Sequence, residues 1–142
     1  MKKTLMALTL LVFLGSACKT TKVSNSSEAE KYVTKFLSYM DQKDGPKRQE
    51  MMDCISPSYI SENNIKTSDY KVNNYSIWGF SIESYDASTG IVVTRVWGEA
   101  RKWVHELDFK VVKEKGSLYL MPSKHSDAYI DPWFEAKTYI KD

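Results

Sequence analysis

The sequence has few of the residues from which metal and nucleotide sites are built. Its 142 residues include two cysteines, two histidines and six glycines. No recognised metal-ligand spacing joins His105, His125, Asp127 and Asp131 to one another. The glycines are scattered and form no phosphate-binding loop. The sequence therefore predicts neither a metal site nor a cofactor.

The sequence also lacks an apolar run long enough to cross a membrane as a helix. Residues 4–14 contain eight apolar residues and one alanine, whereas a transmembrane helix needs about 20 residues. A basic segment, residues 1–3, precedes this run, and three small residues, 15–17, follow it. This order is typical of an export signal.

A cysteine, Cys18, comes directly after the small residues. Residues 14–18, Leu-Gly-Ser-Ala-Cys, resemble the lipobox of bacterial lipoproteins, although that pattern prefers leucine where Gly15 stands. The resemblance implies a signal peptide of residues 1–17 and a membrane anchor through acylated Cys18; several acyl chains bind more durably than one. Lys19 after the cysteine resembles the sorting signal for the outer membrane in some Gram-negative bacteria. The alternative is a cleaved, soluble secreted protein in which Cys18 is incidental.

The charge balance excludes one class of partner. Cleavage before Cys18 would leave 125 residues, which suits one domain. Removal of Lys2 and Lys3 would lower the count of lysine and arginine from 20 to 18, equal to the 18 acidic residues. Nucleic-acid binding needs a clustered basic excess, so no nucleic-acid partner is predicted.

The second cysteine, Cys54, would have no disulfide partner once Cys18 is acylated, although the compartment is oxidising. It lies in an apolar segment, residues 51–55, with helical spacing. A nucleophilic cysteine needs a base and an electropositive setting. We therefore predict a buried thiol that packs as a small hydrophobic residue.

The first half of the chain predicts a tether and three helices. Residues 18–26, the lipidated cysteine and a polar flexible tether, lead to a globular domain at 27–142. Ser27 and Glu30 match a capping box, and an apolar stripe predicts a first helix at 28–42. A second helix is predicted at 47–55 and a third at 58–63, separated by Pro57.

The second half predicts a sheet. Aromatic and β-branched residues alternate, and the short connections indicate an antiparallel meander. We predict its strands at about 74–86, 91–98, 102–114 and 117–122. Residues 70–72 are a candidate edge strand, and the last ten residues are expected to pack back onto the body.

Helices followed by long antiparallel strands indicate an α+β fold with N-terminal helices on one face of the sheet. The amphipathic first helix, the helix broken at residues 55–60 and the final meander resemble the nuclear transport factor 2-like superfamily over residues 27–123. The resemblance implies a single domain whose curved sheet forms a cone around the first helix, often with an apolar pocket. A cystatin-like arrangement, with one helix on the sheet, is the alternative.

Alternation in the strand at 102–114 places Trp103, His105 and Phe109 on one face, which we predict to be inner. These three residues and Trp97 are the candidate pocket for a small apolar ligand. His105 could bind a ligand or act as a general base, or it could be a hydrogen-bonded core residue. Arg95 and Tyr75 are candidate polar partners for His105, and the facing of Arg95 and Trp97 is left open.

Two functions remain. The first is a non-catalytic envelope lipoprotein that binds a small apolar ligand or a protein partner. A homodimer through the sheet is also a candidate, because both faces of the strand at 91–98 are apolar. The alternative is a small enzyme of the isomerase or dehydratase type with His105 as base. Residues 124–127 are interpreted as a loop, since adjacency in sequence is not the geometry of a nucleophilic triad.

Overall fold

The computed structural model describes residues 20–40, 47–72, 77–98, 103–124, 128–130 and 133–139. The helices in these segments are α1 (Ser26–Tyr39), α2 (Arg48–Asp53) and α3 (Pro57–Glu62), and the strands are β1 (Thr21–Lys22), β2 (Gly79–Asp86), β3 (Ile91–Trp97), β4 (Val104–Glu114), β5 (Ser117–Met121) and β6 (Glu135–Tyr139). The strands form one curled antiparallel sheet. The predicted α+β class is confirmed.

Helix α1 begins earlier than the capping-box pattern predicts. The side-chain oxygen of Asn25 accepts hydrogen bonds from the backbone N–H groups of Ser27, at 3.0 Å, and Glu28, at 3.4 Å. Asn25 is therefore the cap, and the predicted capping box starting at Ser27 is wrong. The helix ends at Tyr39 with Met40 as its C-cap, and residues 41 and 42 lie outside the described segments.

The apolar stripe of α1 is confirmed as the face that packs on the sheet. Its residues Ala29, Val33, Phe36 and Leu37 are all fully buried. The Phe36 ring lies edge-on to Phe109 of β4, with ring centroids 5.6 Å apart, and edge-on to Phe134 at 5.3 Å. Full burial of one such side chain contributes about 1.5–3 kcal/mol, so this contact fixes α1 on one face of the sheet, which we call the α1 side; the opposite face is the outer face.

The N-terminal segment joins the fold sooner than expected. Thr21 and Lys22 form β1 against β4, and Val23 is buried. The hydroxyl of Tyr85 donates a hydrogen bond to the Val23 carbonyl. The described chain therefore enters the sheet at Thr21, whereas the composition predicts a flexible tether that continues to residue 26.

The break between the second and third helices is confirmed. Pro57 is the first residue of α3, where its missing N–H costs no helical hydrogen bond. The Ser56 hydroxyl caps α3 by accepting a hydrogen bond from Tyr59 N–H at 3.3 Å. At the start of α2, the Arg48 guanidinium donates hydrogen bonds to the carbonyls of Thr67, Ser68 and Tyr70 at 2.9–3.1 Å. These contacts hold the connection that leads into the sheet.

The meander is confirmed, and β4 is its central strand. It pairs along one edge with β3 and then β1, and along the other edge with β6 and then β5. The β4–β5 connection is the two-residue turn Lys115–Gly116, in which both residues have positive φ, 50° and 87°. This geometry favours a tight hairpin whose twist matches the strands.

Candidate functional site

The register between β3 and β4 decides which face each candidate residue occupies. His105 lies opposite Val96, and Arg95 lies opposite Glu106. Directly opposite residues share a face, and successive residues alternate. His105 is therefore on the α1 side together with Val96, whereas Arg95 is on the outer face.

Arg95 thus cannot be the polar partner of His105 inside a pocket, as the sequence analysis considers. The Arg95 guanidinium lies 3.6 Å from the carboxylate of Glu83, which belongs to the irregular part of β2 between Ile82 and Ser84. Half of the Arg95 side chain is exposed. Ion pairs this exposed contribute about 0–1 kcal/mol, so this pair marks the outer face as polar at this point.

Trp103 and His105 lie side by side on the α1 side of the sheet. Their ring centroids are 5.0 Å apart, and the rings meet edge-on at 72°. Both residues are half-buried. They occupy the end of β4 that is farthest from the Lys115–Gly116 turn. A half-exposed histidine against a tryptophan ring can donate or accept a hydrogen bond while the ring offers an apolar contact.

Two glycines leave room for tryptophan rings at this end of the sheet. A Cβ atom on Gly98 would lie 2.2 Å from the Trp103 ring, and one on Gly79 would lie 2.6 Å from the Trp97 ring. Gly98 and Trp103 are on the α1 side, and Gly79 and Trp97 are on the outer face. The rings of Trp97 and Trp103 therefore cover glycine backbone on opposite faces of the same end.

Trp78 completes this group. It has 60% of its surface exposed, and its backbone N–H donates to the Trp97 carbonyl at 2.8 Å. We call Trp78, Trp97, Trp103 and His105 the aromatic end. Trp78 is not among the candidate residues predicted from the sequence. The sequence signal for this group is Gly79, because a glycine inside a strand often marks a place where another group approaches the backbone closely.

The other candidates do not join this group. Phe109 is fully buried, with its ring centroid 4.7 Å from that of Phe134 and 5.6 Å from that of Phe36, so it is a core residue rather than a pocket residue. Trp97 belongs to the aromatic end, but it lies on the face opposite to Trp103 and His105 and so does not share a pocket with them. Tyr75 and Cys18 lie outside the described residues.

Cys54 is a buried, free thiol, as predicted. Burial raises its pKa, and the neighbouring Tyr32 hydroxyl and Lys35 ammonium oppose that rise only in part. The Tyr32 hydroxyl donates to the Cys54 backbone carbonyl at 3.4 Å, and burial raises the pKa of Tyr32 also. A thiol that resists ionisation is a poor nucleophile.

Within the segments that the structure describes, no three His, Cys, Asp or Glu side chains come close enough to hold a metal ion. His125, Asp127 and Asp131 lie outside those segments. In the same segments, no helix combines the length and the apolar character needed to span a membrane.

Comparisons with known proteins do not assign the chain to a family. No protein-family model matches it, and no curated protein or solved structure matches it significantly. The functional argument therefore depends on the geometry of the residues themselves.

Proposed function

We propose that this protein is a lipoprotein of the bacterial cell envelope, anchored through acylated Cys18 in the outer membrane. Its folded part is a non-catalytic module that binds a protein partner through the aromatic end. One observation carries the proposal: β4 runs from His105, at the aromatic end, to Lys113, which lies opposite Thr21. Eight residues of strand span about 26 Å, so an anchor near Thr21 would hold the aromatic end away from the membrane.

The aromatic end has the composition of a binding surface. Tryptophan is enriched among the residues that contribute most to protein interfaces. Trp78 is largely exposed, and the rings of Trp97 and Trp103 lie on opposite faces of the sheet. A partner that covers the end of the sheet would therefore meet rings on both faces, whereas a small ligand in a concave pocket would reach only one of them.

We further propose that the chain from Thr21 forms one domain of the nuclear transport factor 2-like type, with the sheet closing as a cone around α1. The packing of Phe36 against Phe109 on the α1 side supports this proposal. A homodimer through the outer face is a weaker proposal, because Arg95–Glu83 and Lys137–Glu106 place charged pairs there.

The enzyme alternative can no longer use Arg95 as the polar partner of His105. A general base acts within about one water of a second polar group, and Arg95 lies on the opposite face from His105. The remaining candidate, Tyr75, stays a prediction. No observation in the described residues favours an isomerase or dehydratase over a binding module.

The proposal is tested by site-specific photo-crosslinking in the native host. A photoreactive amino acid replaces Trp78 in one strain and Tyr129 in another; Tyr129 is a matched control because it is also an exposed aromatic residue, with 38% of its surface accessible. We expect one protein to cross-link at position 78 and not at position 129. Equal cross-linking at both positions, or none at either, contradicts a partner at the aromatic end.

Native mass spectrometry of the protein from the same host tests the alternative that the site binds a small ligand in place of a protein partner. If the unsubstituted protein retains a small molecule and a Trp103→Leu variant does not, the aromatic end binds an apolar ligand and not a protein partner. The mass of the Cys18-containing fragment reports acylation in the same experiment, so the anchor and the binding role are tested separately.

A further inference from the structure

The direction of β1 shows where the chain before Thr21 leaves the sheet. Thr21 lies opposite Lys113 and Lys22 lies opposite Val112, in antiparallel register. The chain before Thr21 therefore points toward the Lys115–Gly116 turn. Thr21 is three residue steps from Cys18, and an extended chain spans at most about 3.6 Å per step. A lipid on Cys18 would thus lie within about 11 Å of Thr21, at the end of the sheet where the turn lies.

A basic groove lies at this same end, between the exposed side of α1 and the β4–β5 hairpin. It has a volume of about 390 Å³ and is lined by Glu28, Lys31, Tyr32, Lys35, Lys113, Gly116 and Leu118. The three lysines are exposed, whereas Tyr32 and Leu118 are half-buried. The groove therefore has an apolar floor with three ammonium groups and one carboxylate around it.

The Lys35 side chain illustrates how the groove is built. Its ammonium lies 5.9 Å from the centroid of the Tyr32 ring, which is within the range of a cation–π contact. Lysine stems can lie along apolar surface while their charged ends reach outward. The groove thus combines apolar contacts near the protein with positive charge at its rim, which suits a phosphate group that carries an apolar tail.

We propose that the basic groove binds the phosphate headgroups of anionic lipids in the membrane that holds Cys18. This inference depends on the proposed lipid anchor and adds an orientation to it: the β4–β5 turn faces the membrane, and the aromatic end faces away. Cleavage before Cys18 would leave 18 lysine and arginine residues against 18 acidic residues, so a local cluster of lysines, and not the net charge, provides the attraction.

The size of the effect follows from the charges. Each lysine near an anionic membrane surface shifts the binding equilibrium about fivefold, and opposition by Glu28 reduces the total. For Lys31, Lys35 and Lys113 together we expect the ratio of docked to undocked domain to rise by roughly 10- to 100-fold. Because the lysines are exposed, salt should weaken this attraction: the screening length falls from about 10 Å at 0.1 M to about 3 Å at 1 M salt.

The experiment uses the full-length processed protein in vesicles. A Ser117→Cys substitution, next to the turn and exposed, carries a fluorophore, and a lipid-headgroup quencher reports its contact with the membrane. The test variant is Lys31→Glu/Lys35→Glu/Lys113→Glu. The matched control, Lys66→Glu/Lys71→Glu/Lys124→Glu, makes the same charge change at exposed lysines that do not line the groove.

We expect strong quenching in vesicles with anionic phospholipid, weak quenching in zwitterionic vesicles, loss of quenching in the groove variant and its retention in the control. Salt at about 1 M should remove the quenching of the labelled Ser117→Cys protein that keeps all three groove lysines, a result that needs no charge variant. Equal quenching in both vesicle types, or in groove and control variants, overturns the groove proposal.

Two further readouts separate this proposal from the anchor. Co-flotation with vesicles and the mass of the Cys18 fragment report acylation independently of the fluorophore. Acylated, co-floating protein whose fluorophore is not quenched overturns the groove alone. Protein without acyl chains overturns the proposed anchor and, with it, the groove as a membrane contact.

Discussion

Ser56 donates its hydroxyl hydrogen to the carboxylate of Glu114 across 2.7 Å. The contact joins the cap of α3 to the last residue of β4, 58 positions apart in sequence. Ser58 adds two more hydrogen bonds to the same carboxylate, from its N–H at 3.1 Å and its hydroxyl at 3.2 Å. Glu114 is buried, and a buried carboxylate is tolerated only when such donors replace water.

The first prediction concerns this carboxylate. Glu114→Ala leaves the buried Ser56 hydroxyl and the half-buried Ser58 hydroxyl and N–H without this acceptor, so we expect the free energy of unfolding to fall by about 2–3 kcal/mol. Urea unfolding measures this loss. Glu62→Ala, at an exposed position of α3, is the control and should change the value by less than about 0.5 kcal/mol. Similar values for both variants would show that the cluster does not stabilise the fold.

The second prediction concerns alkaline pH. Burial raises the pKa values of Tyr32 and Cys54 in the folded state, from ordinary values of 10.0 and 9.0. The folded protein therefore holds these protons more tightly than the unfolded chain. Their contribution to stability is complete below about pH 9 and is lost as the pH rises through the higher folded values.

Urea unfolding at a series of pH values from 8 upward, about one unit apart, tests this prediction. The unsubstituted protein should lose stability steadily above about pH 9. Tyr32→Phe/Cys54→Ala should lose less over the same range, although it starts from a lower value. Tyr129→Phe provides a control at an exposed tyrosine. If the double variant had the same pH dependence as the unsubstituted protein, the alkaline loss of stability would not come from Tyr32 and Cys54.

The third prediction concerns the glycine under Trp103. A Cβ on Gly98 would overlap the indole at 2.2 Å, so Gly98→Ala should destabilise the protein by about 1–3 kcal/mol and shift the tryptophan near-UV circular dichroism. A double-mutant cycle between Gly98 and Trp103 tests whether the indole ring causes this loss of stability. In a Trp103→Leu background the same alanine should cost less than about 1 kcal/mol. An equal cost in both backgrounds would mean that backbone conformation, and not the ring, requires glycine.

Much of the fold follows from local sequence patterns. The apolar stripe of α1, the break at Pro57 and the tight turn at Lys115–Gly116 each depend on neighbouring residues, and each is observed. The cap of α1 was misplaced because Ser27 and Asn25 are both good capping residues within three positions. Only the backbone direction before the helix decides between them.

The pairing of β1 could not be predicted in the same way. Thr21 and Lys22 are two exposed polar residues, and their strand exists because β4 extends beyond β3 and offers an unpaired edge. The facing of Arg95 was open for a related reason. Both faces of β3 carry β-branched residues, so alternation alone does not identify the side that packs on α1. The register with β4 identifies it, because Phe109 of β4 contacts Phe36 of α1.

The contact between two of the candidate residues follows from the sequence pattern. Trp103 and His105 lie together as the alternation of β4 indicates. Trp78 and the basic groove were missed because their neighbours come from distant parts of the chain: the groove joins α1 residues such as Lys31 to Lys113 of β4. Such groups become visible only after the strands are paired.

The central claim is that Cys18 carries the lipid that places this domain at a membrane. Metabolic labelling of the full-length protein with radioactive palmitate in its host tests it most directly. Cys54→Ala, which removes the other cysteine, is the control. We predict label on the unsubstituted protein and on Cys54→Ala, and none on Cys18→Ala. Equal labelling of the unsubstituted protein and Cys18→Ala, or no labelling of either, would contradict the claim.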